Sequence, residues 1–361
     1  MDLTPAAAED RSHPISDPLS SSAVDPSSCK DLTALQDLAS LGSWRALIDK
    51  LSSSTHASSL HPHEQLIHHT FHALALFKLR RFSDALCLFS DLDLFDCDAE
   101  PHSRHRFESF PHLYPNLSGS MLPFALRWLH AQLPNRLGDR LESLDRLYRL
   151  LAFVRSRRQA APGGIWEKRE IFVVNSIVSN HLASKEFAIC LALLQEQLRR
   201  EPLDPVLVSK VGYIYMQIGD LEGARSAFAL VEGLASEGIE LRNLVCRNKA
   251  LMYLVGKDYV SAVREYEECI ERDPADVVAV NNKALCLMYL RDLSDSIKVL
   301  EGGLERVPTA VLNETLVVNL SSMYELAYVN HSEIKKTLSS WIAKVAPDDF
   351  DASCTRICGT T

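Results

Sequence analysis

The residues that could do chemistry in this chain are histidines, cysteines and a few acidic side chains. Six histidines lie between residues 56 and 72, and His68 and His72 stand one helical turn apart, where they could share a metal ion. One such pair supplies only two of the four ligands that a zinc site needs. We therefore interpret these histidines as a polar helix face with an adjoining loop and predict no metal site.

The nine cysteines are odd in number and irregular in spacing, which does not suit a framework of disulfides. Several of them, among them Cys190, Cys269 and Cys286, stand on helix faces as small apolar residues would, so we expect buried thiols in a reducing compartment. Cys354 and Cys358 are one turn apart, but no histidine stands near them. We predict no zinc site there either.

Motifs for phosphate binding or nucleophilic catalysis are incomplete. Gly163-Gly164 lacks the lysine and serine of a phosphate-binding loop, and Gly119-Ser120 lacks the second glycine of a nucleophile elbow. We predict no catalytic residue and no cofactor. One enzymatic alternative stays open, an active site within residues 96–120. Its candidate residues are His102, His105, Glu108 and His112.

The charge of the chain argues against nucleic acid as a partner. Lys and Arg number 38 against 47 Asp and Glu, which gives a net charge of −9. The basic groups at 104–106 and 155–158 are short, and we interpret them as solvated loops or helix ends. The sequence has no apolar run of membrane-spanning length and no secretory start, so we expect no transmembrane segment and no signal peptide.

Small residues recur at a fixed spacing in the second half of the chain. Ala250 and Ala284 are 34 residues apart, and so are Pro274 and Pro308. This is the period of the tetratricopeptide repeat, a pair of antiparallel helices. Small residues recur because two helix backbones in close contact leave no room for larger side chains. We predict an all-α fold: a right-handed tetratricopeptide-repeat superhelix, which is an α-solenoid of antiparallel helix pairs.

One unit shows the whole pattern. It runs from 243 to 274, and its second helix carries Ala262, Tyr266 and Ile270 at i, i+4 and i+8, on one face. Pro274 stops this helix, because proline cannot continue it. We expect Ala250, Ala262 and Ala284 to be buried between helices.

The pattern of apolar periods and helix-breaking residues divides the chain into three predicted parts. We predict a disordered leader at 1–29, an amphipathic helical segment and loop at 30–63, and a tetratricopeptide-repeat solenoid at 64–358 with an irregular insertion at about 96–120. Within the solenoid, units are expected at 64–96, 121–160, 165–202 and 205–232, then at 243–274 and up to Pro308, and a terminal pair begins near residue 312.

Three asparagines are candidates for binding a peptide. Asn248 and Asn282 are equivalent in consecutive repeats, and Asn281 precedes the second of them. Such residues can hold the terminal carboxylate of a peptide, which would make the chain a co-chaperone or an adaptor that binds peptide tails in its concave groove. The accompanying lysines are missing. The alternative is that these asparagines fix the geometry of the helix pairs.

The most individual stretch of the sequence lies between residues 114 and 147. In order, it reads Tyr114-Pro115, Gly119-Ser120-Met121, Pro123-Phe124, Arg127-Trp128-Leu129-His130-Ala131, Gly138-Asp139 and Glu142-Ser143-Leu144-Asp145-Arg146-Leu147. This block resembles the signature of the trafficking protein particle (TRAPP) complex subunit 12 family. The resemblance extends over about residues 32–358.

The resemblance implies a non-catalytic scaffold subunit of a vesicle-tethering complex in ER-to-Golgi or Golgi traffic. Implied partners are the other TRAPP subunits and, indirectly, a Rab GTPase that the core subunits act on. Implied localisation is cytoplasmic, peripheral to Golgi, trans-Golgi network or ER–Golgi membranes through the complex. No cofactor is implied.

The insertion and the helix after it also suggest where a partner docks. Packing within a repeat does not demand Tyr114 and its neighbouring prolines together, and long ordered loops often carry function. We expect residues 101–131 to form an ordered turn that creates a docking surface. Its candidate contact residues are Tyr114, Arg127 and Trp128. The alternative is that the segment only bridges two irregular repeats.

Overall fold

The computed structural model describes residues 26–53, 60–92, 104–160, 164–234 and 238–356. Within these ranges the chain is helical and contains no β-strand, only a single antiparallel bridge between Arg106 and Ser120. The predicted all-α tetratricopeptide-repeat fold is confirmed. Contacts divide the chain into two compact units, Met1–Ser184 and Lys185–Thr361.

The first unit contains seven α-helices and one 3₁₀ turn within its described residues. They are α1 (Pro26–Ser40), α2 (Trp44–Ser53), α3 (Pro62–Lys78), α4 (Phe82–Leu92), the 3₁₀ turn Phe107–Ser109, α5 (Phe124–Arg136), α6 (Arg140–Ala160) and α7 (Ile165–Ala183). Successive helices α3 to α4 and α5 to α6 are joined by tight turns and pack as antiparallel pairs, and α7 packs against α6.

The second unit continues the pairing. Its helices are α8 (Phe187–Leu198), α9 (Pro205–Ile218), α10 (Leu221–Leu234), α11 (Ile239–Val255), α12 (Tyr259–Arg272), α13 (Val277–Tyr289), α14 (Leu293–Arg306), α15 (Pro308–Val311), α16 (Glu314–Ala327), α17 (His331–Val345) and the 3₁₀ turn Ala352–Thr355. The pairs α9–α10, α11–α12 and α13–α14 are the predicted units, and α16–α17 is the predicted terminal pair.

The small residues do sit where the helices of a pair touch. Ala250, Ala262 and Ala284 are fully buried in one apolar cluster of the second unit, as predicted. At the matching position of α9, a methyl group added to Gly212 would lie 2.6 Å from the ring of Phe228. Because that distance is far below contact, the α9–α10 pair needs glycine at this position.

The predicted unit 165–202 falls on the division between the two compact units. The helix α7, which includes the apolar run 171–174, belongs to the first unit and packs against α6. The helix α8 belongs to the second unit and packs against α9. The sequence gives no signal of this division, because each of the two helices carries an ordinary repeat pattern.

A residue with a left-handed backbone conformation lies in six of the short turns that connect successive helices. Positive φ angles occur at the same point of the turn, and an acidic residue follows in five of the six. The six are Arg80, Gly138, Lys185, Gly219, Lys257 and Arg291. The acidic residue caps the next helix in the clearest cases: the carboxylate of Asp258 accepts from the Ser261 amide at 3.1 Å.

Several of the predicted segments lie partly or wholly outside the described residues. Helix α1 begins at Pro26, and residues 1–25 of the predicted leader lie outside the described residues, as do 54–59 and 93–103. His56, Cys97, His102 and Cys358 also lie outside the described residues. Across the described ranges, no helix combines the length and the apolar character needed to cross a bilayer.

We expect Ala262→Asp to lower the free energy of unfolding by on the order of 3 kcal/mol or more. It would overpack a closed contact between α11 and α12 and bury a charge there. Ala229→Asp, at an exposed position of α10, is the matched control and should cost only a fraction of that. Thermal and urea unfolding of both variants measure the difference, and equal losses would contradict the packing described here.

We expect Arg291→Gly to stabilise the second unit by about 1 kcal/mol, because glycine removes the clash of Cβ at φ 66°. A change to glycine within a helix should act with the opposite sign. Lys298→Gly, at an exposed site inside α14, is expected to destabilise by about 1 kcal/mol. Unfolding curves of both variants test the pair, and a loss of stability for Arg291→Gly would be evidence against a left-handed turn.

Candidate partner-binding site

Residues 104–123 are the described part of the connection between α4 and α5, where the sequence predicts an irregular insertion at about 96–120. Its two ends are tied by backbone hydrogen bonds: the Met121 amide donates to the His105 carbonyl at 2.8 Å, and the Phe107 amide donates to the Gly119 carbonyl at 3.0 Å. Gly119 has a φ of 103°, which only glycine adopts without strain. We call this segment the neck loop.

An exposed carboxylate, that of Glu108, connects the two ends of the neck loop. Glu108 accepts a hydrogen bond from the Gly119 amide at 2.9 Å and a charged one from Arg106 at 3.1 Å. Hydrogen bonds from backbone amides, its own and that of Gly119, together with Arg106, lower the pKa of Glu108 to about 2. The side chain is thus an ionised structural acceptor, which is a different role from the acid or base of the enzymatic alternative.

Apolar side chains anchor the neck loop to the first unit. Phe107, Met121 and Leu122 are buried in the cluster formed by α3, α4 and α5. His105 is buried as well, and its Nε2 donates to the Leu92 carbonyl at 2.7 Å. This histidine therefore ties the loop to the end of α4.

Tyr114 holds the far side of the neck loop instead of lying open to a partner. Its hydroxyl and Nδ1 of His63 are hydrogen-bonded at 2.6 Å, and its ring lies edge-on to Phe107 with 5.1 Å between centroids. Burial raises the pKa of Tyr114 and lowers the pKa of His63. Both rings are half-buried and neutral at physiological pH, so the pair works as a clasp between α3 and the loop.

Two large apolar side chains of the neck loop are exposed. Leu113 and Leu117 are 46% and 45% exposed, on either side of the exposed Pro115. Large apolar side chains held in water by an ordered loop are typical of a contact surface. Sequence reasoning selected Tyr114 from this segment and missed the two leucines, because leucine in a repeat protein is usually core.

Arg127 and Trp128 are half-buried and join three helices. Arg127 donates to Ser120 Oγ at 2.6 Å and lies over the ring of Phe153 in α6 at 4.6 Å. Trp128 donates to Ser176 Oγ at 2.9 Å and packs against Phe172, both in α7. The two residues therefore connect the neck loop, α5, α6 and α7.

The predicted asparagines lie between the first helices of consecutive repeats. Asn248 is buried and accepts from Ser209 Oγ at 2.9 Å, which connects α11 to α9. Asn281 accepts from Asn319 of α16 at 2.7 Å and donates to Asn282, which in turn donates to the Tyr266 hydroxyl at 3.2 Å. These contacts are those of residues that fix helix geometry.

A buried carboxylate that sequence reasoning missed completes this pattern. Asp276 caps α13 by accepting from the Ala279 amide at 3.0 Å, and it pairs with Arg247 of α11. Asn243 of α11 donates to the carbonyl of Cys269 at 3.1 Å and also faces Asp276 at 3.4 Å. The Asp-Pro-x-Asp sequence before α13 was the available signal.

Among the described residues, only one group brings three potential metal ligands together: Cys246, Glu265 and Glu268. Arg272 lies in the same place, with its guanidinium 3.4 Å from the Cys246 sulfur and paired with Glu268. Burial raises the pKa of the Cys246 thiol, and the neutral thiol is a poor metal ligand. An arginine thus fills the position that a cation would take.

Several solved structures are similar to this chain, each of them at low sequence identity. A tetratricopeptide repeat protein from Parabacteroides merdae is 12% identical, covers 82% of this chain and 98% of its own, and has a TM-score of 0.44. MamA from Desulfovibrio magneticus is 20% identical. The match covers 48% of this chain and 91% of MamA, with a TM-score of 0.30. Human IFIT1 is 12% identical. The match covers 84% of this chain and 66% of IFIT1, with a TM-score of 0.41.

Sequence comparison gives more specific matches, although no family model matches the chain. Trafficking protein particle complex subunit 12 of Mus musculus is 30% identical over 91% of this chain and 45% of the mouse protein. The Homo sapiens protein of the same name is 29% identical over 91% of this chain and 48% of the human protein. The chain thus spans about half the length of these curated relatives. Over 91% of its own length it is similar to subunit 12 of the trafficking protein particle complex, which confirms the resemblance predicted from the sequence.

Proposed function

We propose that this chain is a non-catalytic scaffold subunit of a TRAPP vesicle-tethering complex that acts in ER-to-Golgi and Golgi traffic. The observation that carries the proposal is the 30% identity to a named complex subunit over 91% of the chain. On this proposal the chain binds other TRAPP subunits, lies on the cytoplasmic side of Golgi or ER–Golgi membranes through them, and affects a Rab GTPase only indirectly.

The fold supports a role in binding. Successive helix pairs bury their apolar faces on one another and leave long surfaces between helices, which suit protein contacts better than a closed reaction chamber. Within the described residues, the candidate catalytic groups His105 and Glu108 are bonded to backbone atoms of the neck loop and its surroundings. These hydrogen bonds support structural roles for both side chains.

The hydrogen bonds of the asparagines support a scaffold role more than the role of a protein that clamps a peptide. Asn281 and Asn282 are hydrogen-bonded to one another and to residues of neighbouring helices. A clamp needs side chains that point their donors at an incoming carboxylate. Because these amides connect the repeats, the co-chaperone alternative loses its main support.

We place the docking surface for another TRAPP subunit on the neck loop. Its ends are fixed by the backbone bonds of the neck, and the Tyr114–His63 clasp fixes its far side. A loop that is already ordered loses little conformational entropy when it binds, so its exposed leucines can contribute most of their burial to affinity. Leu113 and Leu117 would enter an apolar depression on the partner subunit.

The double substitution Leu113→Ser and Leu117→Ser tests this surface. We expect the variant to keep the melting temperature of the unchanged chain, since both side chains are exposed. Burying two leucines contributes about 3 kcal/mol or more at an interface, so the variant should lose most of its co-purification with TRAPP subunits. Tagged chains purified from cells, with the retained subunits quantified by mass spectrometry, give the measurement.

A matched control changes two other exposed leucines of the first unit. Leu137 and Leu141, 47% and 73% exposed, lie at the turn between α5 and α6. Their change to serine should leave co-purification intact. Equal retention of subunits by both double variants would refute docking through the neck loop, whereas failure of the unchanged chain to retain any TRAPP subunit would refute the proposed function itself.

A further inference from the structure

Two successive boundaries between helix pairs of the second unit are built on the same repeat but are not equally tight. The α10–α11 boundary separates the pair α9–α10 from the pair α11–α12, and the α12–α13 boundary separates α11–α12 from α13–α14. Both lie within the second compact unit. Because the pairs share one sequence pattern, differences between the two boundaries can be assigned to particular side chains.

A hydrogen bond between side chains is present at one boundary and missing at the other. Asn282 donates to the Tyr266 hydroxyl at 3.2 Å across the α12–α13 boundary. One repeat earlier, Asn248 and Phe228 occupy the corresponding positions of α11 and α10. Phe228 has no hydroxyl, and Nδ2 of Asn248 is buried without a hydrogen-bond partner among the described residues. A buried donor that stays unpaired costs free energy, so this boundary is weaker.

An ion pair distinguishes the boundaries in the same direction. The buried carboxylate of Asp276, which caps α13, pairs with Arg247 of α11. The residue that caps α11 is Gly238, which has no side chain, and Ser209 stands in α9 where Arg247 stands in α11. Ser209 Oγ donates to Asn248 at 2.9 Å. A hydrogen bond between neutral groups thus stands where the next boundary has an ion pair with a buried acid.

The apolar core is also interrupted at the α10–α11 boundary. The large cluster that contains Ala250 and Ala284 extends from α11 to α17 and includes no described residue of α8, α9 or α10. Across the α10–α11 boundary, apolar contact centres on a small cluster with three buried residues, Val208, Val231 and Val245. A cleft of about 470 Å³ lies there, lined by residues of α10, α11 and α12. The packing that couples α10 to α11 is therefore weaker than the packing beyond it.

An ion pair near the surface does cross the α10–α11 boundary. Glu232 and Lys249 are 2.6 Å apart, and their side chains are 54% and 39% exposed. Exposed pairs add little stability, because water screens the charges. The lysine at the corresponding position of the α12–α13 boundary, Lys283, is only 14% exposed and pairs with Glu267. The exposed pair therefore does not compensate for the contacts that the α10–α11 boundary lacks.

We infer that α8–α10 opens as a block of its own while α11–α17 stays folded. In a repeat protein each helix pair is stabilised by its neighbours, so a weak boundary uncouples the parts on its two sides. Elements that move when a protein binds a partner are drawn from the parts that open at low cost. The block α8–α10 is thus the part of the second unit that changes its arrangement on binding, and α11–α17 is the rigid part.

Hydrogen exchange of the purified full chain, followed by mass spectrometry, measures the opening of each helix. We expect the amides of α9 and α10 to exchange at least about tenfold faster than those of α12, α13 and α14, since two polar contacts and part of the apolar contact are missing at the α10–α11 boundary. Equal protection of these two sets of helices would overturn the inference.

Phe228→Tyr tests the cause of the weakness. It places a hydroxyl where the next repeat has one, so Asn248 gains an acceptor, and exchange in α9 and α10 should slow about fivefold. Phe187→Tyr is the matched control. It adds the same hydroxyl at a half-buried position at the start of α8 and should change exchange by less than about twofold.

Tyr266→Phe makes the reverse change with little change in side-chain volume. It should weaken the α12–α13 boundary and speed exchange in α11 and α12 about fivefold. Tyr259→Phe, in the same helix, is the control; its half-buried ring stacks on Tyr289 and should tolerate the change. If Phe228→Tyr lowers the melting temperature, overpacking has offset the new bond, and the comparison of Tyr266→Phe with Tyr259→Phe decides alone.

Two further outcomes would overturn the inference. One is a Phe228→Tyr chain that melts like the unchanged chain and exchanges no more slowly in α9 and α10 than Phe187→Tyr does. The other is a Tyr266→Phe chain that exchanges like Tyr259→Phe. All of these measurements use the chain alone, without TRAPP subunits, so their failure is distinguishable from failure of the proposed function.

Discussion

The close approach of two helix backbones within each pair is the constraint on which this structure depends. At that point only Gly, Ala or Ser fits, and the residue lies fully buried in every clear pair. Serine has an additional consequence. Ser143 and Ser296 stand at this position in α6 and α14, and each donates to the carbonyl of the facing alanine, Ala131 at 2.8 Å and Ala284 at 2.6 Å. The hydroxyl is thereby satisfied where an unpaired one would be costly.

This constraint explains why so much of the fold could be predicted from the sequence. A steric limit restricts residue type directly, so Ala250 and Ala284 show the 34-residue period without any alignment. The ends of several helices could also be predicted, because Pro274 and the capping aspartates act locally. The division at 184–185 could not be predicted, since it depends on the packing of neighbouring helices and no single residue marks it.

The candidate site was predicted only in part, for a related reason. The sequence identified the 101–131 segment as special, but it does not tell which side chains of an irregular loop face inward. Tyr114 and Arg127 turned out to be half-buried and bonded to His63 and Ser120. The exposed Leu113 and Leu117 are chemically indistinguishable from core leucines until the loop is folded. Only three-dimensional placement separates the two roles.

The polar groups between repeats restrict where partners can bind. Asp276 and Asn281, with the residues bonded to them, lie between the first helices of consecutive repeats. Burying such groups adds little net stability, but a shifted helix would leave them unpaired, which is expensive. They therefore favour one register among packings that apolar contacts alone would hardly distinguish. Side chains used in this way are not available to a ligand, so specific binding must come from groups that the repeats do not need. The exposed leucines of the neck loop are such groups.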